Sequence, residues 1–291
     1  MDLSAEQREL LPSDEDVAFY REHGWYISKK ILSDEAIDDA LYGSERHYAG
    51  ERDSELLVGG YLDWKPGDGD ALRINDYVSL QNDQLRNLVH TPLIAAVAAR
   101  LSGSSTIRLF HDQLIYKPSG EKKAAIGWHV DRAYWSTCTS DEMLTAWIPF
   151  HDCDERMGTV TMLDGSHRWT DTADLRTFRR HDLDQLEQQF SSSGNAIRKV
   201  PMNLKKGQVS FHHARTIHGS YPNVSNAPRI ALAVHLQDAA NQYCLHHDDQ
   251  GNVSFHIIDS LCRKQPNGNP DYADPDICPM LWSEMISRSA S

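Results

Sequence analysis

Hydrophobic residues recur at helical spacing through about the first hundred positions and at alternating spacing after them. Ser13-Asp14-Glu15-Asp16 reads as a capping box ahead of Val17, Phe19 and Tyr20, with Gly24 as the stop. Ser33-Asp34-Glu35 opens a second helix, with Ile37, Ala40 and Leu41 at helical spacing. Leu88, Leu93, Ile94, Val97 and Leu101 predict a third, ended by Ser102-Gly103. Between them, Val58 to Asp76 carries Gly, Asp and aromatic residues and predicts a long loop, a kind of segment that is often functional in compact domains.

From Thr106 the texture is that of strands. Thr106 to Tyr116 alternates and breaks at Pro118-Ser119-Gly120; Met143 to Phe150, Gly158 to Leu163, Gln208 to His213 and Arg229 to Leu236 are short β-branched and aromatic runs. Asp164-Gly165-Ser166, Lys206-Gly207 and Pro222-Asn223 punctuate them. Asp182 to Phe190 predicts a helical insert, and Ser191-Ser192-Ser193-Gly194 a mobile loop. Helices followed by many short strands predict a mainly β fold with flanking helices, and a jelly roll fits. The expected organisation is one domain over residues 1–291, with a helical part at about 1–104, a jelly-roll core at about 105–238 and an irregular tail at about 239–291.

Within the strand region stand Trp128-His129-Val130-Asp131, then Ile217-His218-Gly219-Ser220, then Arg229. A lone His-x-Asp arises easily by chance in a chain with 15 histidines. Residues two apart on a strand point to the same side, however, so His129 and Asp131 can share one ion. A jelly roll can bring His218 to the same mouth. Two imidazoles and one carboxylate are the ligand set of a non-haem Fe(II) site that leaves positions open for a bidentate 2-oxo acid and O2. Arg229 opens the last strong strand, and its guanidinium suits the far carboxylate of 2-oxoglutarate better than a lysine would. Ser220, two beyond His218, could share that carboxylate, although a Ser in His-Gly-Ser-Tyr-Pro-Asn also reads as an ordinary turn residue.

Composition narrows the partners. The net charge is -13, with no basic stripe, which argues against nucleic acid. The five cysteines are scattered, with no Cys-x-x-Cys pair, as in a reducing compartment. The acidic, polar start is unlike a signal peptide, and no run approaches the ~20 apolar residues of a membrane span. A soluble cytoplasmic protein acting on a small molecule is expected; the oligomeric state is not legible.

By its motifs the chain resembles the phytanoyl-CoA dioxygenase family of Fe(II)/2-oxoglutarate oxygenases. The resemblance runs from about Leu88 to His235 through Leu114-Ile115-Tyr116-Lys117-Pro118, Gly127-Trp128-His129-Val130-Asp131, Thr145-Ala146-Trp147, Met157-Gly158-Thr159-Val160, Gly165-Ser166-His167 and Ile217-His218-Gly219-Ser220-Tyr221-Pro222-Asn223. Met157-Gly158-Thr159 departs from the family's Asn-Gly-Cys. The resemblance implies a double-stranded β-helix (jelly-roll, cupin-like) core with metal at His129, Asp131 and His218. It also implies 2-oxoglutarate contacts from Gln113, Trp147, Ser220 and Arg229, with Arg73 where a basic residue often reaches the co-substrate.

The implied reaction hydroxylates a small metabolite or natural-product intermediate, using Fe(II), 2-oxoglutarate and O2 and releasing succinate and CO2. Asp131 argues against halogenation, because halogenases carry a small residue there. Desaturation, epimerisation or ring or endoperoxide formation would use the same site. Two readings from other classes compete: a non-catalytic cupin-like binding protein, which has no need of all four of His129, Asp131, His218 and Arg229, and a zinc hydrolase, for which the usual nearby Glu base is missing. Tyr134, Trp135, Tyr61 and Trp64 are candidate substrate contacts, and the Tyr61–Trp64 loop a candidate lid. Packing accounts for each of them equally well. His111, His151, His167, His212 and His213 read as structural. The acidic balance disfavours an acyl-CoA substrate without deciding between free molecule and thioester.

Overall fold

The computed structural model describes residues 3–69, 72–121, 124–248 and 250–284. Local signals set the first helices. Helix α1 is Ala5–Glu9 and α2 is Asp14–His23, each with a Ser capping box; α2 ends at Gly24 in the left-handed conformation, φ 78°. Ser33 caps α3 (Asp34–Tyr48). The single helix expected around Leu88 to Leu101 is two, α4 (Asp83–Val89) and α5 (Pro92–Ser102). Pro92 lacks an amide hydrogen and disfavours helical geometry at Thr91, so α4 must stop and α5 begins with Pro in its first turn.

Eleven strands form two antiparallel sheets among the described residues. They are β1 (Trp25–Ile27), β2 (Arg73–Asp76), β3 (Thr106–Lys117), β4 (Ile126–His129), β5 (Leu144–Pro149), β6 (Thr161–Leu163), β7 (Lys199–Pro201), β8 (Ser210–His213), β9 (His218–Ser220), β10 (Arg229–Asp238) and β11 (Met280–Ser283). The larger sheet runs β1-β8-β5-β10-β3-β11, and the smaller runs β4-β9-β6-β7. The long β3 offers its free edge to both β11 and β2, at opposite ends. Three further α-helices stand among the described residues: α6 (Asp131–Tyr134), α7 (Leu183–Ser192) and α8 (Ile258–Leu261).

Three expectations are corrected. The region expected to be helical contributes two strands, β1 and β2, and β2 lies at the end of the expected loop. Part of the stretch read as a serine loop, Ser191-Ser192, is the last turn of α7. The tail is not wholly irregular, since it supplies α8 and the edge strand β11. No helix among the described residues is long and apolar enough to cross a membrane.

Strand alternation divides the larger sheet into two faces. Leu232 and Val234 of β10, Leu114 of β3, Ala146 and Ile148 of β5 and Phe211 of β8 point one way. They bury against Leu93, Ile94 and Val97 of α5 and Leu85 of α4 in the main core. The residues between them, including Arg229, Ala233 and His235 on β10, Gln113 on β3, Thr145 and Trp147 on β5 and His212 on β8, line a cavity facing the smaller sheet. The apolar phase therefore anchors the sheet on the helices, and the polar phase is left to build a site.

Candidate metal and co-substrate site

His129 ends β4 and His218 begins β9, the strand paired with it; the two residues are register partners. Asp131 is not on the strand as expected but opens α6. Val130 between them is still extended (φ -116°, ψ 136°), so the two-residue alternation survives one step past the strand. His129, Asp131 and His218 are all buried, and their ligand atoms lie within 4.8 Å of one another.

Hydrogen bonds set the orientation of each group. His129 Nδ1 donates to the Gly127 carbonyl at 2.8 Å, and His218 Nδ1 donates to the Thr216 carbonyl at 3.0 Å. Each ring therefore keeps an Nε2 lone pair, and both Nε2 atoms face Asp131 Oδ1, at 3.7 and 3.5 Å. Asp131 Oδ2 is turned away and occupied: it accepts from Thr145 Oγ1 at 2.6 Å and from His212 Nε2 at 3.2 Å. The Thr145 proton is thus committed, so His235 Nδ1 donates to Thr145 Oγ1 at 2.8 Å.

Burial pulls the His129 imidazole below its usual range and His218 well below it, so both rings are neutral and free to bind at neutral pH. Burial alone would raise the Asp131 carboxyl, but His218, His212 and His235 outweigh it and hold the group well below the usual carboxylate range. Two neutral imidazoles and one carboxylate, each fixed from behind by a hydrogen bond, suit a borderline dication.

The cavity beside the triad holds about 40 Å³, room for a few water molecules, and extends to Arg229. Arg229 is 1% exposed. Its Nη1 donates to the Gly158 carbonyl at 2.8 Å, while Nε and Nη2 are buried with no partner among the described residues. Its guanidinium lies over Trp147, 5.3 Å from the ring centroid. A buried cation with two unused donors in a planar fork is the signature of an anion site. Gly158 adopts φ 66°, and a Cβ there would lie 2.4 Å from the Tyr221 carbonyl, so glycine is what fits at the position whose own carbonyl accepts from Arg229.

Of the residues expected near the co-substrate, Gln113, Trp147, Ser220 and Arg229 all line this cavity. Gln113 Nε2 donates one of its two hydrogens to Asp76 Oδ1, at 2.8 Å. Ser220 is held by a residue that sequence reasoning gave no role: buried Lys117 Nζ donates to Ser220 Oγ at 2.6 Å and to the Tyr221 carbonyl at 2.6 Å. Arg73 lies elsewhere. On β2 it alternates with Ile74 and Asp76, which line other cavities, so it takes the opposite face and stacks over Trp64 and Tyr116 at 4.1 and 4.4 Å.

Two larger cavities adjoin. One of about 480 Å³ opens on His129 and Asp131 and takes in Tyr134 and Trp135. The other, about 560 Å³, lies along the Tyr61–Trp64 loop. Phe178 borders all three cavities, its ring 4.8 Å from that of His129. The segment carrying it crosses β4 at Gly127, where a Cβ would fall 2.0 Å from the Thr177 carbonyl. Thr145 and His235 were given no role by sequence reasoning, while His212 and His111, both read as structural, border the cavity at the triad and the 480 Å³ cavity respectively. The usable signal was phase: His235 shares the face of Arg229 on β10, and Thr145 that of Trp147 on β5.

Residues 20–231 match the family model described as phytanoyl-CoA dioxygenase. The peroxisomal phytanoyl-CoA dioxygenase of Bos taurus is 25% identical over 281 residues, covering 90% of this chain and 77% of that protein. The ectoine dioxygenase of Bordetella bronchiseptica is 26% identical over 229 residues, covering 75% of this chain and 72% of that one. Among solved structures, the non-haem alpha-ketoglutarate-dependent carbocyclase SnoK from nogalamycin biosynthesis has a TM-score of 0.70 at 24% identity, covering 92% of this chain and 96% of its own. The epimerase SnoN, in complex with Fe3+, alpha-ketoglutarate and nogalamycin RO, has a TM-score of 0.64 at 24% identity, covering 95% and 99%.

Proposed function

Because the chain belongs to the phytanoyl-CoA dioxygenase family and so is an Fe(II)- and 2-oxoglutarate-dependent dioxygenase, we propose that His129, Asp131 and His218 hold the iron and that the enzyme hydroxylates a small-molecule metabolite or natural-product intermediate. The observation that carries this is the pairing of the triad with Arg229, whose two unpartnered donors border the cavity that begins at the triad. We read residues 1–291 as one such domain and its two sheets as a double-stranded β-helix. The scattered cysteines support work in a reducing compartment such as the cytoplasm.

Bound at the triad, iron supplies the activation of O2 that couples substrate oxidation to conversion of 2-oxoglutarate into succinate and CO2. The chain supplies position. Thr145 and His212 keep Asp131 Oδ2 occupied, so that Oδ1 is the oxygen offered to the metal. Arg229 and Ser220, steadied by Lys117, would take the far carboxylate, with Trp147 beneath the guanidinium. Gln113 would flank the co-substrate. Tyr134, Trp135 and Phe178 would exclude water from the substrate side, with Tyr61 and Trp64 at the outer mouth.

The test is anaerobic titration with Fe(II) and then 2-oxoglutarate, followed by visible absorption. Chelation of a 2-oxo acid to Fe(II) gives a weak band near ~500 nm. No band with the triad intact would remove this assignment and return the zinc and binding-protein alternatives. Product analysis then separates hydroxylation from desaturation, epimerisation or ring closure.

Thr145→Val keeps the shape of the side chain and removes the bond to Asp131. Fe(II) affinity is expected to fall by about 10–100-fold, the usual cost of losing a partner behind a metal ligand. An unchanged Fe(II) titration would show that this hydroxyl does not orient the carboxylate.

A further inference from the structure

The 480 Å³ cavity contains an acidic group for which nothing described so far supplies a counter-charge. Asp76, at the end of β2, lines it and is 9% exposed. Its Oδ1 accepts from Gln113 Nε2 at 2.8 Å and its Oδ2 from the Leu62 amide at 3.0 Å. It makes no ion pair among the described residues. Burial, with Asp112 and Asp63 adding negative charge, pushes its carboxyl up to about 6; both oxygens accept hydrogen bonds and neither donates one, the pattern of a carboxylate. A buried carboxylate without a counter-cation is costly, and proteins normally pair such a group.

The surroundings favour an organic cation as the missing partner. Tyr77, Tyr134, Trp135, Phe178 and Phe255 line the same cavity, and aromatic faces attract ammonium ions. The nearby imidazoles do not compete. Burial keeps His111 and His256 uncharged, and His256 Nδ1 already accepts from the Ile258 amide at 3.3 Å. His111 is 6% exposed, and neither of its ring nitrogens has a partner among the described residues, which also points to a polar ligand. The two arginines on the lining, Arg176 and Arg179, are exposed at the rim, and Arg176 is paired with Asp174 at 3.1 Å.

We propose that the molecule this enzyme oxidises carries an amine, held as its ammonium ion between the Asp76 carboxylate and the aromatic wall of this cavity. The inference rests on taking the cavity that opens on the triad as the substrate site.

Three probes of one shape and three charges test it: 2-naphthylmethylamine, 2-naphthylmethanol and 2-naphthoate. Each is titrated calorimetrically into the full-length protein with Fe(II) and 2-oxoglutarate under anaerobic conditions. The amine is expected to bind at least about tenfold tighter than the alcohol, and the carboxylate weakest. Asp76→Asn should bring the amine down to the alcohol, and Asp76→Glu should restore the preference. Equal binding of amine and alcohol, tighter binding of naphthoate, no binding of any probe, or a preference that survives Asp76→Asn each overturns the proposal. Should Asp76→Asn fail to fold, for want of the bond to Leu62, the ranking on the unaltered protein decides alone. Titrating 2-oxoglutarate into the same samples separates the two ideas. Co-substrate bound without a probe preference removes only the amine; no co-substrate bound removes the site assignment beneath it.

Discussion

Arg229→Gln is expected to raise the Kd for 2-oxoglutarate by roughly a hundredfold or more, while Fe(II) binds as before. Truncating one partner of a buried, hydrogen-bonded charge pair costs about 2–5 kcal/mol, and about 3 kcal/mol already exceeds a hundredfold. Here the guanidinium is 1% exposed, stacked on Trp147 and fixed through Nη1 on the Gly158 carbonyl, so Nε and Nη2 are preorganised for two parallel bonds to one carboxylate. Arg229→Lys keeps a charge but loses the fork, and should recover only part of the affinity. The same burial predicts an opposite effect on stability. Without co-substrate Arg229 is a desolvated cation with unused donors, so Arg229→Met should melt higher than the parent protein when ligand is absent. With saturating 2-oxoglutarate the order should reverse, because only the parent gains binding energy. Calorimetry for Kd and melting curves with and without co-substrate read both. An unchanged Kd would take Arg229 out of the co-substrate site.

What could be read from the chain follows how local each signal is. The caps at Ser13 and Ser33 and the stop at Gly24 act within one helical turn and stand where the residues place them. The triad and Arg229 were legible because their chemistry is rare in combination, and strand alternation told which of them share a face. Some of the short strands were not legible. Trp25–Ile27 and Arg73–Asp76 have too few residues to show a period, and they are strands because β8 and β3 offer edges to pair with. Arg73 illustrates the cost. With its segment read as a loop, no face could be assigned to it, and alternation with Asp76 turns it away from the site. Thr145 and His212 resemble any polar strand residues until the sheet puts them behind Asp131. Lys117 likewise shows its role only when β9 brings Ser220 within reach of its Nζ.

Removing the carboxylate of the triad should have the largest effect. Asp131→Ala is expected to lower Fe(II) affinity by more than about three orders of magnitude and to abolish succinate formation. Losing a group behind a ligand costs about 10–100-fold, and here the only anionic ligand is itself removed. The two imidazoles are neutral through burial, so nothing charged is left to compensate a dication. Asp131→Asn tests this further, because it preserves shape. Thr145 Oγ1 and His212 Nε2 both direct hydrogens at Oδ2. An amide satisfies them by placing its oxygen there, which turns its NH2 toward the two Nε2 atoms and the metal position between them. The Asn variant should therefore bind Fe(II) nearly as poorly as the Ala variant. Retention of Fe(II) within about tenfold in Asp131→Asn would mean that Thr145 and His212 reverse their donors, and that the carboxylate is not oriented as the hydrogen bonds indicate. The pattern across variants carries the distinction. Asp131 should control iron and, through it, the co-substrate, whereas Arg229 should control the co-substrate alone, and a binding protein without the oxygenase site has no reason to show that asymmetry.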